Sequence, residues 1–267
     1  MYVWNVDPVL VHIGPLQIRY YGVCFLVGLL GGYLLWRWQM LRAGRSEEAA
    51  ERILMPAVLA VIVGARLGHV IFYEPGYFFS HPVRILAFWE GGLASHGAAI
   101  ALVITLWWYS RREKMSMEEV ADRFSFSIAW AAAWVRIGNF MNSEIVGRVT
   151  GVSWGVKFPR FDYLLSPEKV PYRHPSQIYE ALMGFLILFL LLLADKLLGG
   201  EKRPRGVMIS LCLILYFSGR FLVEFVKEYQ ALSPESSPLT EGQYLSIPFI
   251  IAGFVWLFIS LRRNLAA

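Results

Sequence analysis

The sequence predicts an all-α, polytopic membrane protein with seven transmembrane helices. The chain has 267 residues, of which 57% are hydrophobic and only 17% are charged, whereas soluble domains average about 25% charged residues. This composition excludes a disordered chain and argues against a soluble globule. Seven apolar stretches are long enough to cross about 30 Å of hydrocarbon as helices and too continuous for barrel strands. They lie at about residues 20–37, 53–73, 91–110, 123–143, 177–195, 206–225 and 242–261.

Taken in order, the first three stretches each contain polar side chains that a membrane helix does not need. The first opens on Tyr20 and Tyr21. Because no basic segment or cleavage site precedes it, we expect it to be a retained anchor and not a signal peptide. The second stretch contains Arg66, and the third contains His96.

The last four stretches differ sharply in polarity. The fourth contains Arg136 and the sixth contains Arg220, whereas the fifth and seventh are purely apolar over 181–194 and 246–261. Between the fourth and fifth lies a proline-interrupted segment, 144–176, whose GVSWGVKFP stretch alternates in polarity and indicates a short strand or hairpin. We find no repeat and no low-complexity linker.

The distribution of basic residues predicts the orientation of the helices. Cytoplasmic loops of membrane proteins are enriched in Lys and Arg. Fourteen such residues lie on one side: Arg37, Arg42, Arg45, Arg52, Arg111, Arg112, Lys114, Arg123, Lys196, Lys202, Arg203, Arg205, Arg262 and Arg263. We therefore expect the N-terminus outside, the C-terminus in the cytoplasm, and residues 1–267 to form a single integral membrane domain with an external loop or small head region at about 144–176.

Three arginines remain inside the apolar stretches, namely Arg66, Arg136 and Arg220. A charge at this depth costs at least about 2.5–3.5 kcal/mol, so it marks a candidate functional site. Each lies about 13–14 residues from the inner end of its helix, which places it roughly 20 Å above the cytoplasmic face at 1.5 Å per residue. The sequence thus predicts three arginines at one depth, in the outer half of the bilayer.

Further polar groups are expected in the same layer, because Asn139, Asn142 and Glu144 follow Arg136 closely and Glu224 lies one turn after Arg220. Arginine binds phosphate oxygens two at a time, so this layer suits the head group of a phospholipid. Simpler alternatives stay open: Arg220 and Glu224 as an ion pair only, Arg66 as a packing residue, and His96 as an interhelical hydrogen-bonding group. The two cysteines, Cys24 and Cys212, lie in apolar runs and indicate small hydrophobic residues of the lipid phase or of the core, with no disulfide framework and no metal site.

Several motifs resemble those of the bacterial prolipoprotein diacylglyceryl transferases. They are Tyr21-Gly22, Gly64-Ala65-Arg66-Leu67, Gly91-Gly92-Leu-Ala-Ser-His96-Gly97, Arg136-Ile-Gly138-Asn139-Phe140-Met-Asn142-Ser-Glu144, His174-Pro175-Ser176-Gln177-Ile-Tyr179-Glu180 and Gly219-Arg220-Phe221-Leu-Val-Glu224-Phe225. Beside these motifs the chain departs from the usual family pattern at Val135, Ala98 and Lys227.

The resemblance implies a multi-pass enzyme of the bacterial plasma (inner) membrane, with its active site toward the outer leaflet. It would transfer the diacylglyceryl group of phosphatidylglycerol to the lipobox cysteine thiol of a prolipoprotein signal peptide, releasing glycerol phosphate. The implied partners are this lipid, the prolipoprotein and membrane lipids, with no metal, no other cofactor and no nucleic acid.

The residues that the resemblance implies as catalytic are Arg136, Arg220, His96 and Tyr21. The expected lipid-binding set is Arg136, Asn139, Glu144, Glu224, Arg66, Asn142 and Gln177. On chemical grounds we assign the phosphate to Arg136 and Arg220, and proton acceptance from the thiol to His96. We expect Glu144 and Glu224 to orient the arginines, since a carboxylate beside Arg stays ionised.

Two other function classes compete with this interpretation. An anion or lipid transporter requires charges along a continuous path, whereas these polar groups are expected in the outer half alone. An intramembrane protease requires a nucleophile facing its base, and the adjacent Ser95 and His96 cannot face each other on a helix.

Overall fold

The structure is a computed structural model, which describes residues 2–14, 16–87, 91–92, 94–229 and 237–265. Most of these residues are helical. The helices, in chain order, are α1 (Tyr20–Arg42), α2 (Glu47–Glu51), α3 (Leu54–Phe72), α4 (Pro75–Ser80), α5 (Ser95–Arg112), α6 (Met117–Met141), α7 (Ser176–Leu197), α8 (Val207–Val223) and α9 (Glu241–Leu265). The strands are β1 (Tyr2–Val3), β2 (Val9–Ile13), β3 (Leu16–Arg19), β4 (Val156–Lys157) and β5 (Tyr172–Arg173).

A long helix lies at each of the seven apolar stretches, with ends that differ from the predicted ones by a few residues. The third begins only at Ser95, because Gly91 and Gly92 adopt left-handed backbone conformations (φ 94° and 68°) that a helix does not contain. The fourth begins earlier than expected, at Met117, since the Ser116 hydroxyl accepts a hydrogen bond from the backbone N–H of Glu119 and caps the first turn.

Within the described part of the chain, four helical stretches are long and apolar enough to cross a membrane, and α8 is a shorter apolar helix. The four are Tyr20–Arg42, Glu47–Phe72, Ser176–Leu197 and Glu241–Arg263. An all-α membrane protein is consistent with this finding. The count of seven spans and their orientation stay predictions.

The chain divides into two compact units. One comprises residues 1–36 and 122–267, and the other comprises residues 37–121. The first unit has its core between α6, α7 and α8, where Phe126, Leu191 and Met208 are completely buried. Helices α6 and α7 approach closely at Gly184, where a Cβ atom would lie 2.9 Å from the Ala133 Cβ.

The first unit also contains a small strand region formed by its N-terminus and residues 144–176. Strand β4 pairs in parallel with β1 and antiparallel with β5, and β2 pairs with β3 as a separate hairpin. The expected strand in the GVSWGVKFP stretch is therefore present as β4. Arg173 ties the region together, since its guanidinium binds both carboxylate oxygens of Asp162 at 2.8 Å and Glu228 at 2.6 Å.

In the second unit, α3 packs against α5 through glycines. A Cβ atom at Gly97 would lie 2.6 Å from the Cα of Gly68, so this crossing tolerates no larger residue. Toward the other end of α5, the Tyr109 hydroxyl donates a 2.6 Å hydrogen bond to the carbonyl of Ala49. Both free cysteines belong to the first unit and are buried, which is the core position of the two that the sequence left open.

Candidate active site

The end of α6 places three predicted site residues in one hydrogen-bonded chain. Arg136 donates to the Asn139 side chain at 3.1 Å, and the Asn139 amide donates to the Glu144 carboxylate at 2.8 Å. Asn142 contacts the same carboxylate oxygen at 3.4 Å. The helix ends at Met141, so the chain folds back and the Glu144 backbone N–H bonds the Asn139 carbonyl at 3.0 Å. This return brings the Glu144 carboxylate to the same amide that contacts the arginine.

Glu144 lies between two residues in the left-handed backbone region. Ser143 has φ 57° and Ile145 has φ 55°, which is an uncommon conformation for a non-glycine residue and especially for a β-branched one. Buried side chains from α7 hold this turn. The Ser176 hydroxyl donates to the Ile145 carbonyl at 3.0 Å, and the Gln177 amide donates to the Glu144 carbonyl at 2.7 Å. Strain of this kind persists only when surrounding contacts enforce it, and it clusters at functional sites.

A second carboxylate faces Arg136 from α7. The Glu180 Oε2 atom lies 3.1 Å from the Arg136 Nε atom, and only 2% of the Glu180 side chain is exposed. Tyr21 and Tyr216 lie near the guanidinium. The Tyr21 ring lies directly over Gly138, where a Cβ atom would come within 2.8 Å of the ring. Gly138 is therefore required for the position of Tyr21.

The end of α8 supplies a second group of charges. Arg220 pairs with Glu224 at 3.6 Å, as the four-residue spacing predicts. Glu224 is buried and is held by two further donors, the Lys227 ammonium at 3.1 Å and the Thr240 hydroxyl at 3.0 Å. A Cβ atom at Gly242 would clash with the same carboxylate. Glu224 thus has one firmly fixed position.

Lys227 connects the two groups. Its ammonium lies 3.6 Å from the Glu180 carboxylate and 3.1 Å from the Glu224 carboxylate, and its side chain is 2% exposed. Burial lowers the pKa of Lys227, whereas Glu180 and Glu224 act to raise it. Five charges of alternating sign therefore run in sequence, and we name them the charge chain: Arg136, Glu180, Lys227, Glu224 and Arg220. With three cations and two anions, the charge chain carries a net charge of +1.

In the second unit, the Arg66 guanidinium donates hydrogen bonds to main-chain carbonyl groups. Its guanidinium donates to the carbonyls of Arg84 at 2.6 Å, Ile85 at 2.9 Å, Gly91 at 2.7 Å and Gly92 at 3.3 Å. These bonds hold the connection between α4 and α5, which favours a structural role for Arg66. In the same unit, His96 is exposed and stacks on Tyr73, with 5.7 Å between the ring centroids.

Comparison with known proteins identifies the family. The model of the family "prolipoprotein diacylglyceryl transferase" matches residues 8–259. The chain belongs to this family. The phosphatidylglycerol–prolipoprotein diacylglyceryl transferase of Tolumonas auensis is 39% identical over 265 residues, which cover 99% of both chains. The proteins of the same name from Bacteroides fragilis and Chloroherpeton thalassium are each 38% identical, over 267 and 261 residues, covering 96% and 97% of this chain and 94% of each relative.

Membership of the diacylglyceryl transferase family makes the protein an enzyme. Of the residues predicted for its site, the first unit brings together eight: Tyr21, Arg136, Asn139, Asn142, Glu144, Gln177, Arg220 and Glu224. Arg66 and His96 lie in the second unit. The spacings of three and four residues also predict Ser143 on the same helix face as Arg136 and Asn139. This prediction is wrong, because α6 ends at Met141 and Ser143 follows it.

Three residues of this candidate site are absent from the set that the sequence predicts, namely Glu180, Lys227 and Thr240. Two of them carried a usable signal, because Glu180 follows Gln177 by three residues within α7 and Lys227 follows Glu224 by three in the turn after α8. Side chains at this spacing are close together. Thr240 has no such signal, since its contact with Glu224 joins residues 16 positions apart at the start of another helix.

Proposed function

We propose that this diacylglyceryl transferase moves the diacylglyceryl group of phosphatidylglycerol to the lipobox cysteine of a prolipoprotein signal peptide. The thiolate sulfur attacks the glycerol carbon of the diacylglyceryl group. A carbon–sulfur thioether bond forms, the bond from that carbon to the phosphate oxygen breaks, and glycerol phosphate leaves with the electron pair. The thiol proton passes to a base. No oxidant or further reactant is needed.

The observation that carries the proposal is the charge chain, with an arginine at each end. Arg136 and Arg220 are 14% and 21% exposed, whereas the three charges between them are almost completely buried. Arg136 and Arg220, at the two ends of the charge chain, are thus the members that a ligand can reach. A phosphodiester carries one negative charge, which balances the net charge of +1, and a guanidinium binds its oxygens in pairs.

The charge chain also suits the chemistry of the leaving group. Negative charge grows on the phosphate as its bond to carbon breaks. Fixed cations in a site of low dielectric constant stabilise that growing charge more than they stabilise the ground state, which lowers the barrier. Asn139, Asn142 and Glu144 then orient Arg136 and the glycerol hydroxyls, and Tyr21 lies beside them.

We assign proton acceptance to His96, because an imidazole nitrogen can act as a general base and the thiol must lose its proton to become the nucleophile. The assignment is independent of the phosphate contacts. Gln177 donates to the Glu144 carbonyl, which supports a positioning role. Arg66 contributes to this proposal as the residue that holds the connection before α5.

The proposed setting is the bacterial inner membrane. In this arrangement both units belong to one membrane domain, seven helices cross the bilayer, the N-terminus is outside and the C-terminus is in the cytoplasm. Residues 144–176 form the external part, and the charge chain faces the outer leaflet, where phosphatidylglycerol and a translocated signal peptide can meet. The apolar helices and the basic residues of one set of loops support this orientation.

A direct assay tests the proposal. The purified protein in detergent receives phosphatidylglycerol and a lipobox peptide, and glycerol phosphate release is measured together with the mass of the peptide. We expect Arg136→Ala and Arg220→Ala to lose about 100-fold or more in rate, as for removal of one fixed charge-stabilising donor. Arg160→Ala is the matched control, because Arg160 is an exposed arginine outside the charge chain.

The outcomes separate the parts of the proposal. Absence of glycerol phosphate release by the unmodified protein refutes the function, and an active Arg136→Ala variant refutes the phosphate assignment. An active His96→Ala variant removes only the assignment of the base. Cys24→Ala and Cys212→Ala should be active, since the thiol that reacts belongs to the substrate and both cysteines are buried.

A further inference from the structure

We infer that Lys227 is a positioning residue that keeps Arg136 and Arg220 available to the lipid phosphate, by drawing the two glutamates of the charge chain toward itself. The inference rests on the proposed function and adds to it a residue that neither touches the substrate nor belongs to the predicted site. Its basis is the pattern of distances around the two carboxylates.

The distances show that Lys227 holds Glu224 more closely than Arg220 does. The same carboxylate oxygen, Glu224 Oε1, lies 3.1 Å from the Lys227 ammonium and 3.6 Å from the Arg220 guanidinium. The other oxygen, Oε2, accepts from Thr240 at 3.0 Å. With both oxygens engaged by buried donors, Glu224 pairs only loosely with Arg220, and the guanidinium keeps N–H groups for a phosphate.

The same lysine shares the second carboxylate. Glu180 Oε1 lies 3.6 Å from Lys227, while Glu180 Oε2 lies 3.1 Å from Arg136. Without the ammonium, two buried carboxylates would face two arginines, and the charge chain would carry no net charge. Each carboxylate would then be neutralised by its arginine alone, in competition with the phosphate. Lys227 therefore sets both the net charge of +1 and the separation of the glutamates.

The backbone of Lys227 is fixed independently of its side chain. The Lys227 carbonyl accepts from the Arg148 Nε atom at 2.9 Å, and the Arg148 N–H donates to the Val226 carbonyl at 2.8 Å. An isolated bridge pairs Gly147 with Lys227 in the same region. A substitution of the lysine side chain leaves these main-chain bonds in place, so its effect on activity reports on the ammonium group.

The experiment compares Lys227→Met, which keeps the length of the side chain and removes its charge, with Lys227→Arg, which keeps the charge. Lys169→Met is the matched control, since Lys169 is an exposed lysine of the external segment. Kinetic constants are measured separately for phosphatidylglycerol and for the lipobox peptide. We expect Lys227→Met to raise KM for phosphatidylglycerol about tenfold or more, with KM for the peptide unchanged. Lys227→Arg should retain at least about a third of the activity.

A second comparison tests whether Lys227 acts through its carboxylates. The variants Glu180→Gln, Lys227→Met and the double variant Glu180→Gln/Lys227→Met form a double-mutant cycle. Because the double variant restores the net charge of +1, its loss should be smaller than the product of the two single losses. If Lys227→Met does not fold, the charge-balanced double variant should fold, and Lys227→Arg should be active.

Several results overturn the inference while wild-type activity upholds the proposed function. They are a normal KM for phosphatidylglycerol in Lys227→Met, an equal defect in Lys227→Arg, losses that multiply in the cycle, and a double variant that also fails to fold. Failure of the wild type itself to release glycerol phosphate refutes the proposed function instead.

Discussion

Gln177 offers a sharp test of how the structure positions Glu144. In Gln177→Met the side chain keeps its approximate volume but loses the amide that donates to the Glu144 carbonyl at 2.7 Å. Gln177 is completely buried, so no water can replace that donor without a rearrangement. The turn that carries Glu144 would lose one of the two α7 side chains that hold it.

The expected loss of activity follows from the backbone strain in the turn around Glu144 and from the hydrogen bonds that hold this turn. Two non-glycine residues in the left-handed region, Ser143 and Ile145, cost about 1–3 kcal/mol each. Leaving a buried carbonyl without its donor costs about 1–3 kcal/mol. Since 1.4 kcal/mol corresponds to a factor of ten, relaxation of the turn should lower kcat/KM by about tenfold, with an upper bound near 100-fold.

The assay is glycerol phosphate release at several phosphatidylglycerol concentrations, with thermal unfolding as the control for global stability. Gln17→Met, an exposed glutamine of strand β3, is the matched variant and should be fully active. Adding Ile145→Gly to Gln177→Met removes strain at one of the two left-handed positions, so part of the activity should return. The reasoning is refuted if Gln177→Met stays within about threefold of the wild type, or if Ile145→Gly restores nothing in that background.

Three further predictions concern other contacts. Gly138→Ala places a Cβ atom 2.8 Å from the Tyr21 ring, so kcat/KM should fall about tenfold. In the control variant Gly151→Ala the new Cβ atom enters open space, so its activity should equal that of the wild type. Equal activities of the two variants would contradict this prediction. Arg173→Met removes the cation that pairs with Asp162 and Glu228. The free energy of unfolding, measured in denaturant titrations, should fall by about 3–5 kcal/mol, and a decrease below about 1 kcal/mol would be evidence against this prediction. Burial lowers the pKa of His174 from its usual 6.5, so the folded state favours the neutral imidazole. The contribution of His174 to stability is therefore present above pH 6.5 and is lost as the pH falls through the lower folded-state pKa. Unfolding temperatures of His174→Asn measured between about pH 5 and 7 should lack this pH-dependent loss of stability, and a pH dependence equal to that of the wild type would argue against the reasoning.

The apolar stretches predicted the helices well because a continuous run of about 20 apolar residues has few other stable conformations. The helix ends were less predictable, since single residues decide them. Gly91 and Gly92 delay the start of α5 through positive φ angles, and Ser116 starts α6 with a side-chain cap. Such contributions are worth about 1 kcal/mol each and leave little trace in the hydrophobic pattern.

In the candidate site, contacts within one helix were predictable and contacts between helices were not. The spacing of Arg136 and Asn139 and that of Arg220 and Glu224 each place two side chains on one helix face, and both pairs are in contact. The Arg136–Glu180 pair joins residues 44 positions apart on two helices. Its formation depends on how α6 packs against α7, which is decided by small residues such as Gly184 and by tertiary structure.

Burial in an apolar helix does not by itself identify an arginine as a ligand-binding residue, as Arg66 and Arg136 illustrate. Both lie in apolar helices and both are largely buried, so the insertion cost alone cannot distinguish them. The difference lies in their partners. Arg66 donates to four backbone carbonyls, so most of its five N–H donors are already engaged and few are left for a phosphate. Arg136 instead pairs with Glu180, whose charge Lys227 shares, so a phosphate can compete for the guanidinium. An arginine held by carboxylates that other cations also hold is therefore the better candidate for binding an anionic substrate.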